Sequence, residues 1–309
     1  LLTGGGSGFV GRELMCLLKN KGHEVTVISR QPGPGKITWD ELELNGLPHC
    51  EGVINLAGEN LMNPLRWQVW NEGYKKDLFS SRINTTKSLA QAIQSPSPPC
   101  SWVLVTGVGE TSLCYCGSAC YKPSLTAEYS EDSKWTPFDL LSKLVKEWEA
   151  SALLQENMAK TTRQFIIRPG VVLGRDGGAM KQMLLPFWLG LGGTLGSGRQ
   201  PFPWIHISDL AGIIAHALEH PGDVASSSPQ VFNGVAPVLN TNYEFTKELG
   251  RIMRRPTILP VPGFFVKALM GSERAMVLTQ GQKVIPKRTQ ESGYHYKYPD
   301  LTSALIEIV

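Results

Sequence analysis

Long apolar runs are missing from this 309-residue sequence, and none approaches the roughly 18–20 residues that cross a bilayer, so a membrane-spanning helix is excluded and no membrane partner is expected. An excess of one charge is missing too. The 30 lysines and arginines stand against 27 aspartates and glutamates, and a dispersed net charge of +3 gives no nucleic-acid surface. Cysteine is sparse at six residues, and nothing resembling a signal peptide precedes the first glycines. The expected setting is therefore intracellular and reducing, cytoplasmic or mitochondrial. The opening strand reads as cut short, which puts any targeting signal upstream of Leu1. Cys114, Cys116 and Cys120 have C-x-C-x3-C spacing without a nearby histidine as fourth ligand. They read as loop thiols, and no metal site is expected.

The chain is 42% hydrophobic and 18% charged, enough to bury a large core. Short β-type runs at 23–30, 50–60, 100–109 and 163–174 alternate with segments whose apolar residues recur three and four apart. That rhythm predicts an α/β fold, a doubly wound parallel sheet of Rossmann type covered by helices on both faces. After residue 175 it gives way to the Gly-rich stretch 189–204, a helix "DLAGIIAHALEH", a strand-like "QVFNGVAP" and a proline-containing C-terminal region. The expected division is a nucleotide-binding domain over 1–174, to which 203–236 returns, and a smaller C-terminal substrate lobe from 175–202 and 237–309.

The first glycines carry the strongest chemical signal. Gly6, Gly8 and Gly11 satisfy G-x-G-x-x-G, Gly5, Gly8 and Gly11 satisfy the looser G-x-x-G-x-x-G, and Phe9 and Val10 open an amphipathic helix behind them. Such a turn lets a pyrophosphate approach the backbone, and the helix N-terminus offers N–H groups to the anion. About 20 residues further on, where an acidic side chain would take a ribose 2′-hydroxyl, stand Ser29 and Arg30. A guanidinium suits a 2′-phosphate, so the cofactor expected is NADP(H) rather than NAD(H).

The segments "GGGSGFVG", "VINLAGEN", "SRINTT", "RPGVVLG" and "PWIHISDLA", in that order and spacing, resemble the extended and atypical short-chain dehydrogenase/reductases. "NPLRW", "VFNGVAP" and "GQKVIPKRTQESGYHY" resemble the epimerase-family branch of that superfamily. The resemblance implies a Rossmann domain holding NADP(H), with cofactor contacts at Leu56, Ala57 and Gly58, at Asp77 and Arg82, and at Val172 near the nicotinamide. It also implies an oxidoreductase or epimerase.

Members of that superfamily use a Tyr-x-x-x-Lys pair on a helix and a hydroxyl on the preceding strand, the ammonium lowering the phenol's pKa. Here Lys143 fits the lysine position and Thr106 the hydroxyl, but Asp139 stands where the tyrosine belongs. Tyr243 and Lys247 have the spacing but lie far past the cofactor strands. Of the tyrosines in 109–129, a loop whose first part reads as an insertion, Tyr121 is the candidate substitute. Phe202 occupies the position where sugar-nucleotide epimerases carry an arginine for the diphosphate, four residues before His206. A small carbonyl or alcohol is therefore expected as substrate, with Arg199 at hand for an anion. His206 and Asp209 read as structural, with Ser208 or Asp209 capping the next helix. "HALEH" at 216–220 matches H-x-x-E-H but ends a helix before Pro221-Gly222, and is set aside as a metal motif. A non-catalytic NADP(H)-binding sensor or interaction protein is the competing expectation.

Overall fold

A computed structural model of the chain describes residues 1–58, 72–106, 120–220, 228–270 and 279–309. Its strands are β1 (Leu2–Gly4), β2 (Thr26–Ser29), β3 (Lys36–Thr38), β4 (Gly52–Asn55), β5 (Ser101–Val105), β6 (Glu128–Tyr129), β7 (Arg163–Pro169), β8 (Val171–Leu173), β9 (Trp204–His206), β10 (Gln230–Gly234) and β11 (Lys283–Val284). The helices are α1 (Phe9–Asn20), α2 (Trp39–Asn45), α3 (Glu72–Ile93), α4 (Leu140–Ser151), α5 (Glu156–Ala159), α6 (Gly178–Trp188), α7 (Ile207–Glu219), α8 (Asn242–Met253), α9 (Gly263–Met270), α10 (Lys287–Glu291) and α11 (Leu301–Ile308). Among the described residues no helix is long and apolar enough to cross a membrane.

Seven strands form one sheet in the order β10-β7-β5-β4-β1-β2-β3. Every pairing in it is parallel. Successive side chains of a strand point to opposite faces, and both faces here are covered, so the strands read as near-continuous apolar runs. Ile54, Val103, Val105, Phe165 and Ile167 face α1 and α7 through Leu14, Leu18, Leu210 and Ile214. Their neighbours Val53, Trp102, Leu104 and Ile166 face α3 and α4 through Leu89, Ile93 and Trp148. The order of strands reverses between β1 and β4, where the crossovers leave to opposite sides and a crevice opens beyond the carboxyl ends.

The run 163–174 is not one strand. β7 stops at Pro169, and β8 pairs with β9 in a separate two-stranded sheet. The backbone switches partners at Gly170: its N–H donates to the Gly234 carbonyl at 2.9 Å, and the Val171 N–H donates to the Pro203 carbonyl at 2.8 Å. A Cβ at residue 170 would sit 2.5 Å from the Pro203 oxygen, so only glycine fits that crossing. β8, α6, α8 and α11 enclose a second core through Leu173, Met180, Phe245 and Leu305.

The sequence reading missed β3 and α2. Both are short and lie at the sheet's edge, but the start of α2 is marked by a capping box. The Glu41 N–H donates to the Thr38 Oγ1 at 3.1 Å and the Thr38 N–H to the Glu41 carboxylate at 2.6 Å. The cap of α7 also differs from expectation. His206 holds it, its Nδ1 accepting from the Ser208 N–H at 3.2 Å. Asp209 is wholly buried and anchors the C-terminal segment instead, accepting from the Tyr294 hydroxyl and from the N–H groups of Lys297 and Tyr298 at 2.7–3.0 Å.

Candidate functional site

The turn after β1 packs glycine against glycine. Gly5 has φ +77°, and a Cβ there would lie 2.7 Å from the Leu56 carbonyl group. At Gly11 it would lie 2.4 Å from the Gly5 oxygen, so the helix can start only this close to the turn without side chains. Gly11→Ala is accordingly expected to lower the unfolding free energy by about 1–3 kcal/mol, read by urea denaturation. Gly8 is the N-cap of α1 and provides no side-chain cap, and no acidic residue lies in the first turn. Among the described residues no side chain caps the first N–H groups of α1, the groups that in such a turn can meet an anion.

The opposite wall is the end of β4. The Asn55 side chain accepts from the Ala57 N–H at 2.9 Å and donates to the Thr86 hydroxyl at 2.9 Å, and the Trp148 indole N–H donates to that hydroxyl at 2.8 Å. This buried chain of bonds fixes the turn 55–58 against α3. Between the two walls lies a cleft of about 540 Å³ at the reversal point of the sheet. Gly5, Gly8, Phe9, Val10, Gly11, Ser29, Arg30, Leu56, Ala57 and Gly58 all line it.

Four expected cofactor residues do not line this cleft. Gly6 lies beneath it, where a Cβ would meet the Val27 side chain at 2.9 Å. Arg82 is buried under Gly58, its guanidinium 5.2 Å from the Trp148 ring centre, and a Cβ on Gly58 would touch that guanidinium at 3.2 Å. Asp77 is on the same helix five residues earlier, and Val172 packs with the Phe9 cluster. Residues that the sequence reading missed complete the lining, among them Lys36, Trp39, Ser81 and Thr85. Lys36 comes from β3, whose parallel register sets it beside Val27, and it lines the same cleft as Arg30. Among the described residues neither Arg30 nor Lys36 is ion-paired, leaving two cations in the crevice lining.

The proposed catalytic residues are dispersed. Thr106 is fully buried at the end of β5 and donates to the Ile167 carbonyl at 3.3 Å. Lys143 is exposed on the first turn of α4. Asp139 is the N-cap of that helix, its carboxylate accepting from the Ser142 N–H at 2.8 Å and from its hydroxyl at 2.6 Å. Tyr115 and the loop 107–119 lie outside the described residues. Tyr121 is wholly buried, with its ring stacked on Tyr129 at 5.0 Å. Its hydroxyl accepts from Arg168 at 3.2 Å and lies 3.0 Å from the Ser130 carbonyl and 3.2 Å from the Asn233 side-chain oxygen. Burial, reinforced by neighbouring Cys120, raises the phenol's pKa. Burial also pushes the Cys120 thiol up to about 12. Neither group is poised as a proton donor or nucleophile at neutral pH. Tyr121→Phe is expected to cost about 1–3 kcal/mol of stability through the buried acceptors it strands, with cofactor affinity unchanged in a fluorescence titration.

Other sequence features find structural partners. Phe202 is buried against Phe245, the ring centres 4.5 Å apart, and Arg199 is exposed. Glu219 of "HALEH" pairs with Lys21 at 2.7 Å and with His23 at 3.3 Å, and His216 bonds with Ser292. The Lys247 ammonium donates to the Thr257 carbonyl at 2.8 Å.

The model of the NAD dependent epimerase/dehydratase family matches residues 1–233, and a domain of unknown function, DUF1731, matches 261–308. The chain is similar to the human epimerase family protein SDR39U1, 54% identical over 310 residues covering 100% of this chain and 99% of that protein. It is 53% identical to the Bos taurus protein of the same name over 311 residues, again 100% and 99%. The crystal structure of human SDR39U1 (isoform 2) with NADPH superposes with a TM-score of 0.89, covering 99% of this chain and 98% of that one. A parallel sheet with its crevice at the strand-order reversal, a glycine turn opening α1 and these full-length similarities agree: the chain belongs to the NAD dependent epimerase/dehydratase family.

Proposed function

We propose that this protein binds NADP(H) in the β1/β4 cleft and transfers a hydride between it and a small carbonyl or alcohol. The observation that carries the reading is that a helix N-terminus with no side-chain cap and two cations without an ion pair among the described residues, Arg30 and Lys36, line one crevice. The diphosphate would rest on the N–H groups of α1, and the two cations would hold the ribose 2′-phosphate, an anion that NAD(H) lacks. Trp39, Ser81 and Thr85 would border the nucleoside. When bound, the nicotinamide supplies the hydride, and the chain supplies position and a donor for the substrate oxygen. Thr106 is our candidate for that donor, turning its hydroxyl from the Ile167 carbonyl toward the substrate. Tyr121, with its hydroxyl engaged on several sides, is assigned to holding β7 against residues 120–131.

The NADPH-bound human relative supports the cofactor, and the buried Phe202 supports a substrate other than a nucleotide diphosphate. Exposed thiols at Cys16 and Cys100 suit a reducing intracellular compartment, cytoplasmic or mitochondrial. Asp139 favours a second reading. With an N-cap where a phenol is expected, the protein would hold NADP(H) without turnover, as a sensor. A panel of small aldehydes and ketones with NADPH decides between them. Oxidation above the protein-free rate with any member supports hydride transfer, and saturable NADPH binding with no oxidation across the panel supports the sensor.

A further inference from the structure

Two segments of the chain contain no acidic residue, 177–208 and 249–272, while they hold Lys181, Arg199, Arg251, Arg254, Arg255 and Lys267. The fold brings them together. The Val261 N–H donates to the Thr194 carbonyl at 2.9 Å, Leu195 and Val261 form a parallel bridge, and the Arg255 guanidinium lies 5.4 Å from the centre of the Trp188 ring. In these two segments Leu185, Trp188, Leu189, Leu191, Ile258 and Phe264 are 55–80% exposed. Scattered single apolar residues need no explanation, but six large exposed ones concentrated in two touching segments are more than scatter.

We propose that this face docks on an anionic lipid surface, its apolar side chains entering the boundary between headgroups and acyl chains and its cations meeting lipid phosphates. Charge complementarity carries the choice of partner. A second copy of the chain would set one cationic rim against another, which is unfavourable. A groove for a partner helix would half-bury its lining, whereas these side chains stand well clear of the surface at a helix end and in loops. Aromatic and aliphatic side chains projecting beside lysines and arginines match the chemistry of interfacial binding, which needs no spanning segment. The expectation of no membrane partner rested on the missing spanning run, and this mode does not depend on one. Arg251 is tied to Glu248 at 2.6 Å, which leaves Lys181, Arg199, Arg254, Arg255 and Lys267 as the cations available among the described residues.

Co-sedimentation of the full chain with vesicles of equal parts phosphatidylcholine and phosphatidylglycerol, against phosphatidylcholine alone, tests this. The protein is expected to pellet with the anionic vesicles, to be released by salt, and to stay in solution with neutral ones. Arg254→Asn with Arg255→Gln is expected to weaken binding about 30-fold, roughly fivefold for each cation removed, and asparagine keeps the left-handed backbone that Arg254 adopts at φ 54°. Trp188→Ser with Ile258→Ser should abolish pelleting while leaving NADPH binding and the unfolding midpoint unchanged. Equal binding to both vesicles, or none to either, overturns the proposal. Binding to polyglutamate without vesicle binding gives the face to an acidic protein, and a dimer in light scattering that Trp188→Ser dissolves gives it to a second copy. Either result also overturns it.

Discussion

Glu149→Ala is expected to destabilise the protein by about 3–5 kcal/mol, because it strands a buried guanidinium. Arg168, on β7, donates from Nε and Nη2 to the two Glu149 oxygens at 2.8 Å each, and the side chains are only 6% and 12% exposed. The guanidinium also lies 5.8 Å from the Tyr121 ring centre and 5.6 Å from that of Trp135. Removing the carboxylate leaves the cation desolvated, with a phenol oxygen as its one remaining acceptor among the described residues. Urea denaturation reads the loss. The double variant Glu149→Leu, Arg168→Met should recover most of it, since removing both charges removes the stranded one. A single variant within about 0.5 kcal/mol of the parent, the range of ordinary surface substitutions, would show that the pair is not buried as described.

Arg30→Ala with Lys36→Ala is expected to weaken NADPH by two to three orders of magnitude or more and to leave NADH within about threefold of its starting affinity. Hydrogen bonds to charged groups contribute about 1.5–3 kcal/mol each, roughly 10- to 150-fold, and two are lost. Trp39 in the cleft wall gives an intrinsic fluorescence signal for the titration. High salt should narrow the NADPH advantage of the parent, because both cations face an open crevice. An equal loss for the two cofactors would mean that the variants damaged the fold rather than a 2′-phosphate site.

Why some of this was legible in the sequence follows from range. The glycine turn, α1 and Arg30 lie within one βαβ unit, where spacing alone sets geometry. The two-faced burial of the central strands is written in their continuous apolar runs. Lys36 was hidden because β3 is three residues long and its register with β2 places it, not its local pattern. The capping box of Thr38 and Glu41 was a readable signal for α2. Tyr121 looked available for chemistry because it follows β5 in the chain. Its fate depends on Arg168 and Asn233, 47 and 112 residues away, and no local rule finds those partners. Asp209 is similar: it precedes by 85–89 residues the groups it holds, so a helix-start aspartate was read as a cap. The strand at 163–174 was over-extended because apolar content continues through Pro169-Gly170, and only the crossing with Pro203 shows where the backbone must leave the sheet.

A crystal structure of the chain soaked with NADPH tests the central claim most directly. The account predicts the diphosphate over the first N–H groups of α1 and the 2′-phosphate within hydrogen-bonding distance of Arg30 and Lys36. A cofactor bound elsewhere, or a 2′-phosphate in solvent with both cations turned away, would contradict it.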